Sequence, residues 1–353
     1  MNLNSKKYLQ NPFSFYGAVL IKKNKIKILK LKIPKLKRGQ VLVKIIYTSI
    51  CRSQIMEING LRGRDNYLPH LLGHEGYGKV VSVGPSVKNF KKDDEVILGW
   101  IKSNDKNYLG SKTNQFNSKK QINFGPITTF STYSVVAENR LVLKPKKLKP
   151  EHAPLFGCAI LTGAGMVFNQ AKPKKIQNVL VLGLGAVGLS ILAALKCKKI
   201  KNIVAVDNLK NRLNLAKSFG IKTVLSLKKF SSKKYFKDKF DLCFDSTGSV
   251  SSIEFGFSKL KNSGELFFAS HPEKNSIINL DPYELIKGKK IFGSWGGESN
   301  PRKDVPKIFK IFMKNRINLN LFFSKTYSLS EINYAVSEFQ KGKVLRPLIK
   351  MDY

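Results

Sequence analysis

The chain has 353 residues, a length that suits about two domains, and its content of 42% hydrophobic and 10% aromatic residues can fill a substantial core. No apolar run approaches the roughly 20 residues that span a bilayer, and no apolar segment follows the N-terminal stretch 1–7, so we expect neither a membrane span nor a secretion signal. The formal charge of +40 comes mainly from lysines spread along the whole chain, a pattern typical of solvated positions, so we expect no specific nucleic-acid binding.

The first 150 residues have the pattern of short β-strands separated by polar turns. Five segments alternate apolar and polar residues or form short apolar runs: 18–21, 26–33, 41–46, 78–84 and 96–98. We therefore predict an all-β, barrel-like unit. The stretch 102–123 is rich in Asn, Ser and Lys, and it predicts a long surface loop.

After Pro150 the pattern changes to strands that alternate with helices. Four apolar runs predict buried strands, at 179–182, 203–206, 240–244 and 266–269. Strands separated by helical stretches indicate a parallel, doubly wound sheet, so the fold class is α/β. The tail predicts a helix over 305–315, a second helix from Ser330 and a last strand over 345–351.

A G-x-G-x-x-G motif directly follows the first of these strands. Gly183 would make the tight turn, Gly185 would let the backbone approach a pyrophosphate, and Gly188 would let the helix pack closely on the strand. Ala186 and Val187 would open the helix whose N-terminal N–H groups face the phosphates. Because the strand, the helix and the second strand are all present, we predict a dinucleotide site; the alternative is a glycine-rich packing turn.

The choice of dinucleotide rests on Asp207, which ends the second strand at the offset expected for a carboxylate that binds the adenosine ribose. A carboxylate there attracts the 2′-hydroxyl group and repels a 2′-phosphate. We therefore predict NAD rather than NADP, although Lys210 and Arg212 close behind keep NADP as an alternative.

Three short motifs supply candidate metal ligands: Cys51 in Cys-Arg-Ser, His74 in Gly-His-Glu and Cys158 in Gly-Cys. Two thiolates and one imidazole fill three tetrahedral zinc positions and leave the fourth open, as a catalytic zinc site requires. The alternative is that each cysteine is a buried core residue, which is our interpretation of Cys197 and Cys243. Four widely spaced cysteines form no disulfide framework, which favours a reducing, cytoplasmic compartment.

The chain resembles the zinc-containing medium-chain alcohol dehydrogenases over nearly its whole length. The motifs described above follow one another in the same order as in that family. The resemblance rests on segments 51–53, 73–78, 157–163 and 344–346, together with the glycine-rich turn and Asp207. It implies a chaperonin-10-like (GroES-like) β-barrel catalytic domain of residues 1–160, completed by 298–353. Residues 161–297 would form a Rossmann NAD-binding domain.

The resemblance also implies roles for the motif residues in alcohol oxidation. Cys51, His74 and Cys158 would bind one catalytic zinc ion, with Glu75 behind the metal. Ser53 would take the proton of the alcohol while zinc polarises its oxygen and hydride passes to the nicotinamide. The alternative role for the Ser53 hydroxyl is a plain turn or cap.

The remaining roles concern the cofactor, the substrate and assembly. Arg52 and Arg346 would hold the cofactor pyrophosphate, and Thr162 and Arg212 would also contact the cofactor. Trp100 would line the substrate pocket, unless it is an ordinary core residue. The resemblance further implies a homo-oligomer, a dimer or a tetramer, acting on a small alcohol or carbonyl substrate.

Three departures from the family pattern are visible in the sequence. The stretch 101–126 has no cysteine where many relatives bind a structural zinc ion, so we expect no structural zinc and a loop held by packing or an oligomer contact. Met56 replaces a proton-relay histidine. Gln54 replaces an acidic residue that orients the metal-bound histidine, and a weaker acceptor there would leave the zinc more electrophilic.

Three other functions fit part of the sequence. A zinc-free, NADPH-dependent quinone or enoyl reductase would lack the Cys/His/Cys set. A sugar or polyol dehydrogenase usually replaces the third ligand with a carboxylate, where this chain has Cys158. A polyanion-binding protein that has lost catalysis would show a broken metal triad or a broken glycine turn.

Overall fold

The structure is a computed structural model that describes residues 14–104, 106–108, 110–231 and 239–352. The N-terminal stretch 1–7, on which the expectation of no secretion signal rests, lies outside these ranges. Within the described ranges, no helix is long and apolar enough to cross a membrane.

The first part of the chain folds into β-strands, as the alternating pattern predicts. Its strands are β1 (Ser14–Lys22), β2 (Lys25–Lys32), β3 (Gln40–Ser49), β4 (His70–Leu71), β5 (Glu75–Val83), β6 (Glu95–Gly99), β7 (Ser111–Asn114), β8 (Gln121–Gly125), β9 (Tyr133–Ala137) and β10 (Leu141–Leu143). One short helix, α1 (Arg52–Ile58), interrupts them between β3 and β4. Apolar side chains alternate along these strands, so that Val41, Val43 and Ile45 of β3 pack against β5, β6 and β10 of the same sheet, while Leu42 packs against the other sheet.

The tail of the chain returns to this β-unit. After α8 (Pro301–Lys314), it forms β17 (Thr326–Ser328), α9 (Ile332–Gln340) and β18 (Leu348–Lys350). Strand β18 pairs antiparallel with β3, so the sheets run β2-β1-β4-β8-β7 and β10-β6-β5-β3-β18-β17, with β9 also on β3. The last strand begins three residues later than predicted, directly after Pro347, which has no N–H to donate to a β-ladder.

The expectation of a long loop at 102–123 is wrong for its second half. Strands β7 and β8 pair antiparallel there, and β8 joins β4. The inward-facing residues of β7 are polar, and Ser111 is satisfied by a hydrogen bond of 2.9 Å from the Gln40 side chain. Because Ser111 and Thr113 are buried polar residues, the period-2 pattern of hydrophobicity is hidden in the sequence. Strand pairing within the chain holds this stretch.

The second part of the chain forms a six-stranded parallel sheet covered by helices. Its strands are β11 (Asn178–Leu182), β12 (Asn202–Asp207), β13 (Thr223–Ser226), β14 (Phe240–Asp245), β15 (Leu260–Phe268) and β16 (Lys290–Gly293). Its helices are α2 (Ala159–Gly165), α3 (Ala186–Cys197), α4 (Lys210–Ser218), α5 (Leu227–Ser231), α6 (Val250–Ser258) and α7 (Pro282–Ile286). The strand order is β13-β12-β11-β14-β15-β16, so the chain reverses direction across the sheet between β11 and β14. Ligands of such sheets bind at this reversal, beyond the carboxyl ends of the strands.

The cysteines and histidines without motif support lie mostly in the interior. Cys243 is fully buried in β14, and Cys197 is half-buried at the end of α3, as expected of packing residues. From the sequence alone, His70, His152 and His271 belong to no motif and are interpreted as surface or loop residues. For His70 and His152 this interpretation is wrong, because each is only 7% exposed. Each ring finds a partner, Asp65 at 2.8 Å for His70 and Asn320 at 2.8 Å for His152. His271, by contrast, is exposed in the loop after β15.

Candidate metal centre and cofactor cleft

Three potential metal ligands from distant parts of the sequence converge at one point. Cys51 precedes the first turn of α1, His74 lies in the turn between β4 and β5, and Cys158 lies immediately before α2. Their ligand atoms all lie within 4.8 Å of one another. Three ligands of one tetrahedral zinc ion stand about 3.5–3.8 Å apart, given bond lengths of about 2.0–2.3 Å. The grouping is therefore close to what a shared cation needs.

The two thiol groups differ in acidity. A hydrogen bond from Cys158 lowers the pKa of Cys51 well below its ordinary value, and the charge of Arg346 acts in the same direction. The same hydrogen bond, together with burial, raises the pKa of Cys158 well above its ordinary value. The Cys51 thiolate thus forms readily, and its negative charge disfavours deprotonation of the Cys158 thiol. A cation bound between the two sulfur atoms would offset this repulsion.

The His74 ring is oriented from behind. Its Nδ1 faces the side-chain amide of Gln54, which is only 2% exposed, while its Nε2 is buried and has no hydrogen-bond partner. An unpartnered buried ring nitrogen is rare in folded proteins. Because the His74 Nε2 atom lies beside two thiol groups, it is placed as a metal ligand would be. The three side chains therefore have the donor atoms and the arrangement that a zinc ion requires.

Glu75, which directly follows His74, is fully buried, and the structure gives it a partner that the sequence did not indicate. One of its carboxylate oxygens accepts hydrogen bonds from Arg346 and from the Ser49 hydroxyl, while the other has no partner. Burial raises the pKa of Glu75, against the opposing charge of Arg346. Arg346 is only 3% exposed, so the main contact of its guanidinium in this structure is Glu75; a pyrophosphate contact stays a prediction.

A cavity of about 2140 Å³ opens in front of the metal ligands and extends along both halves of the molecule. Ser53 lines this cavity, and its hydroxyl oxygen is buried without a hydrogen-bond partner. A free hydroxyl beside the metal ligands could exchange a proton with a substrate. Met56 also lines the cavity, so the position of the missing relay histidine offers no titratable group.

The glycine-rich turn forms the floor of the other end of the cavity. Gly183 has a φ of 81°, which favours glycine, and a side chain at Gly188 would collide with the Gly183 carbonyl oxygen. Gly185 lines the cavity with no heavy atom within 4 Å of where its Cβ would lie, and Ala186 and Val187 also line the cavity. The open space over Gly185 fits the pyrophosphate of a dinucleotide.

The other predicted cofactor residues line the same cavity, each with a different environment. Asp207 is 9% exposed, accepts the Leu184 N–H at 2.7 Å and lies 3.6 Å from Arg212. Arg52 is exposed, whereas Thr162 is buried and its hydroxyl donates to the Cys158 carbonyl at 2.9 Å. Asp207 thus joins the glycine-rich turn to the cavity wall at the place expected for a ribose contact.

An aromatic wall lies in the same cavity near the metal ligands. Trp100 is half-buried and lines the cavity, and Trp295 meets it edge to face with ring centroids 4.9 Å apart. Trp295 is 67% exposed, which is high for so large an apolar side chain. Sequence reasoning missed Trp295 because it follows β16 without any motif. Ser246 and Thr247, which line the cavity beyond β14, were missed for the same reason, although their position at the end of a parallel strand could have indicated them.

Comparisons with known proteins agree with this architecture. Residues 37–146 match a model described as the alcohol dehydrogenase GroES-like domain, and residues 186–314 match one described as zinc-binding dehydrogenase. An S-(hydroxymethyl)glutathione dehydrogenase of Escherichia coli is 28% identical over 357 residues, covering 92% of this chain and 96% of that protein.

Solved structures resemble the chain over nearly its full length. The structure of benzyl alcohol dehydrogenase from Acinetobacter calcoaceticus is 26% identical with a TM-score of 0.84, and the match covers 96% of this chain and 99% of that one. An alcohol dehydrogenase zinc-binding domain protein from Burkholderia ambifaria is 23% identical with a TM-score of 0.86, covers the same shares of the two chains and shares the fold. The predicted GroES-like barrel and Rossmann sheet are confirmed.

Proposed function

Because the chain belongs to the medium-chain dehydrogenase/reductase family, in which its relatives are alcohol dehydrogenases, we propose that it interconverts an alcohol and its aldehyde or ketone with zinc and NAD. The observation that carries the proposal is the convergence of Cys51, His74 and Cys158 on a cavity that also reaches the glycine-rich turn. Hydride transfer requires that the metal-bound substrate and the dinucleotide lie next to each other, as they would in this cavity.

In the proposed reaction, zinc held by Cys51, His74 and Cys158 would polarise the substrate oxygen, and NAD would accept the hydride. The chain's own residues fix the geometry. The Gln54 side chain orients the His74 ring, while Thr48 and Thr129 hold the Glu75 backbone through hydrogen bonds of 2.6 and 3.0 Å to its carbonyl oxygen.

Proton transfer is assigned to Ser53. Its hydroxyl oxygen is buried, belongs to a residue that lines the cavity and has no hydrogen-bond partner among the described residues, so it is free to accept the proton of an alcohol. Since Met56 cannot carry the proton onward, we propose that the proton leaves through the cofactor ribose and water. Asp207 favours NAD because its carboxylate would attract a ribose hydroxyl group and repel a phosphate.

The test is a substrate screen on protein purified with zinc supplied. Reduction of NAD is followed by the absorbance of NADH, with benzyl alcohol, S-(hydroxymethyl)glutathione and short aliphatic and polyol substrates. We expect about one zinc per chain and turnover that disappears on chelation and returns with zinc. Turnover that persists after zinc removal, or that requires NADPH and a conjugated double bond, would identify a zinc-free reductase instead.

A further inference from the structure

The two basic residue types are distributed very differently over the molecule. The chain has nine arginines and 54 lysines. Six of the nine arginines line the central cavity, namely Arg52, Arg62, Arg64, Arg140, Arg212 and Arg346. Among the lysines of the described residues, only Lys112 and Lys341 do so. In a sequence that uses lysine almost everywhere, arginine is kept where a planar, bidentate donor is needed and a point charge does not suffice.

Two of the six cavity arginines lie beside a carboxylate, and the other four form no ion pair with any residue that the structure describes. Arg346 pairs with Glu75, and Arg212 lies near Asp207. Arg62 and Arg64 are exposed in the cavity and form no ion pair with any described residue. The carboxylate that follows Arg64 in sequence, Asp65, is already bound to His70 at 2.8 Å. Two guanidinium groups therefore face the cavity without a counter-charge.

The pair lies on the chain segment that follows the candidate metal ligand Cys51. Both residues lie just after α1, the helix that begins at the metal ligand Cys51 and the hydroxyl residue Ser53. Their segment contacts the other half of the molecule, because the Lys274 N–H donates to the Leu61 carbonyl at 3.0 Å.

The electrostatics of His271 agree with this placement. Although His271 is exposed, its neighbours partly desolvate the ring and lower its pKa, the charge of Arg62 lowers the pKa further, and Cys51 raises it. Arg62 and the metal site therefore act on the same small region, which also contains Trp295, whose ring lies 6.0 Å from the His271 ring. Asp207 and Arg212, which mark the adenosine end, belong to a different part of the cavity.

We propose that Arg62 and Arg64 bind an anionic group, a carboxylate or a phosphate, on the alcohol substrate, at the end remote from the reacting hydroxyl. This inference rests on the proposed function and narrows its substrate class. Trp100 and Trp295 would contact the apolar or aromatic body of the substrate between the two ends. A carboxylate or phosphate matches the fork of N–H donors that a guanidinium presents.

The test compares matched substrates that differ only in the remote group: benzyl alcohol, 4-(hydroxymethyl)benzoate and 4-(hydroxymethyl)phenyl phosphate. We expect the wild-type enzyme to favour at least one anionic substrate by tenfold or more in kcat/KM, and the more favoured anion identifies the group. The double variant R62Q/R64Q should lose roughly tenfold per arginine on that substrate and less than threefold on benzyl alcohol. R62K/R64K should recover only part of the loss, and R38Q, an exposed arginine outside the cavity, should match the wild type.

The outcomes separate the two proposals. Equal kcat/KM for neutral and anionic alcohols, or an anionic preference that survives in R62Q/R64Q, overturns the role of the two arginines and leaves the dehydrogenase function intact. Absence of turnover with all three substrates counts against the proposed function instead. The arginine role is then decided by calorimetry of 4-methylbenzoate and 4-methylbenzamide on zinc-loaded protein with NAD. Tighter binding of the carboxylate that is lost in R62Q/R64Q supports it, and equal binding overturns it.

Discussion

Replacing Gln54 by glutamate should tighten zinc binding. In the structure, the Gln54 carbonyl oxygen accepts the Cys51 N–H at 3.2 Å, and the amide nitrogen faces His74 Nδ1. A histidine that binds a metal through Nε2 carries its hydrogen on Nδ1 and needs an acceptor there. The single oxygen of the Gln54 amide must then serve two N–H donors on opposite sides, whereas a glutamate offers one oxygen to each.

The size of the effect follows from the type of hydrogen bond. A hydrogen bond to a charged group contributes about 1.5–3 kcal/mol, against about 0.5–1.5 kcal/mol for a neutral one. Because Gln54 is buried, little of this difference is lost to water. We expect a gain of roughly 1–1.4 kcal/mol, which corresponds to a five- to tenfold lower zinc Kd and reaches the lower end of the 10–100-fold effects that partners of metal-bound histidines have. The added negative charge also lies close to two thiol groups. It therefore disfavours the metal-free protein and further increases the gain in zinc affinity.

Zinc affinity is measured by competition with a chromophoric chelator, with metal content determined in parallel. Gln54→Leu removes both polar atoms and should weaken zinc binding by tenfold or more. Gln177→Glu adds the same charge at a site outside the cavity and should leave the zinc Kd unchanged. An unchanged or higher Kd in Gln54→Glu, with Gln54→Leu also unchanged, would refute the argument that Gln54 supports His74.

Three further predictions test other parts of the site. Cys158→Ala should abolish both zinc content and turnover while the far-UV circular dichroism stays native, whereas Cys197→Ala should retain both; turnover without zinc in the former excludes the metal mechanism. Asp207→Gly should lower the ratio of kcat/KM for NAD to that for NADP by roughly tenfold, since the carboxylate that would repel a 2′-phosphate is gone, and an unchanged ratio contradicts its ribose role. Glu75→Gln should reduce the free energy of unfolding by about 3–5 kcal/mol, because it leaves the Arg346 guanidinium buried without its counter-charge; Glu75→Gln combined with Arg346→Met should recover most of that loss in thermal unfolding.

The parts of the fold that could be predicted are those in which one local pattern determines the structure. The strand before the glycine-rich turn is a run of apolar residues, and it lies in the centre of the parallel sheet as β11, buried on both faces. The hairpin of β7 and β8 could not be predicted, because its inward-facing Ser111 and Thr113 are satisfied by hydrogen bonds to residues about 70–80 positions away. Partners so distant in sequence leave no local signal.

The residues of the site divide in the same way, into those that a local motif indicates and those that only the fold brings together. The convergence of Cys51, His74 and Cys158 could be predicted because each residue lies in a motif of its own. Trp295 lies in none and acquires its position from the turn after β16. The contact of Arg346 with Glu75 joins residues 271 positions apart, and it depends on β18 pairing with β3. A resemblance in the 344–346 segment indicated that Arg346 belongs to the site but not which group it contacts.

The Glu75–Arg346 pair also connects the chemistry to the fold. Arg346 comes from the C-terminal tail, which completes the β-unit through β18, while Glu75 follows the metal ligand His74 directly. Displacement of the tail would leave a buried carboxylate uncompensated beside the Cys51 thiolate, and the two negative charges would then repel each other at short range. The guanidinium that the docked tail supplies therefore balances part of the negative charge beside the candidate metal ligands. Through this pair, the C-terminal tail contributes to the electrostatics of a site whose candidate metal ligands all come from the first 160 residues.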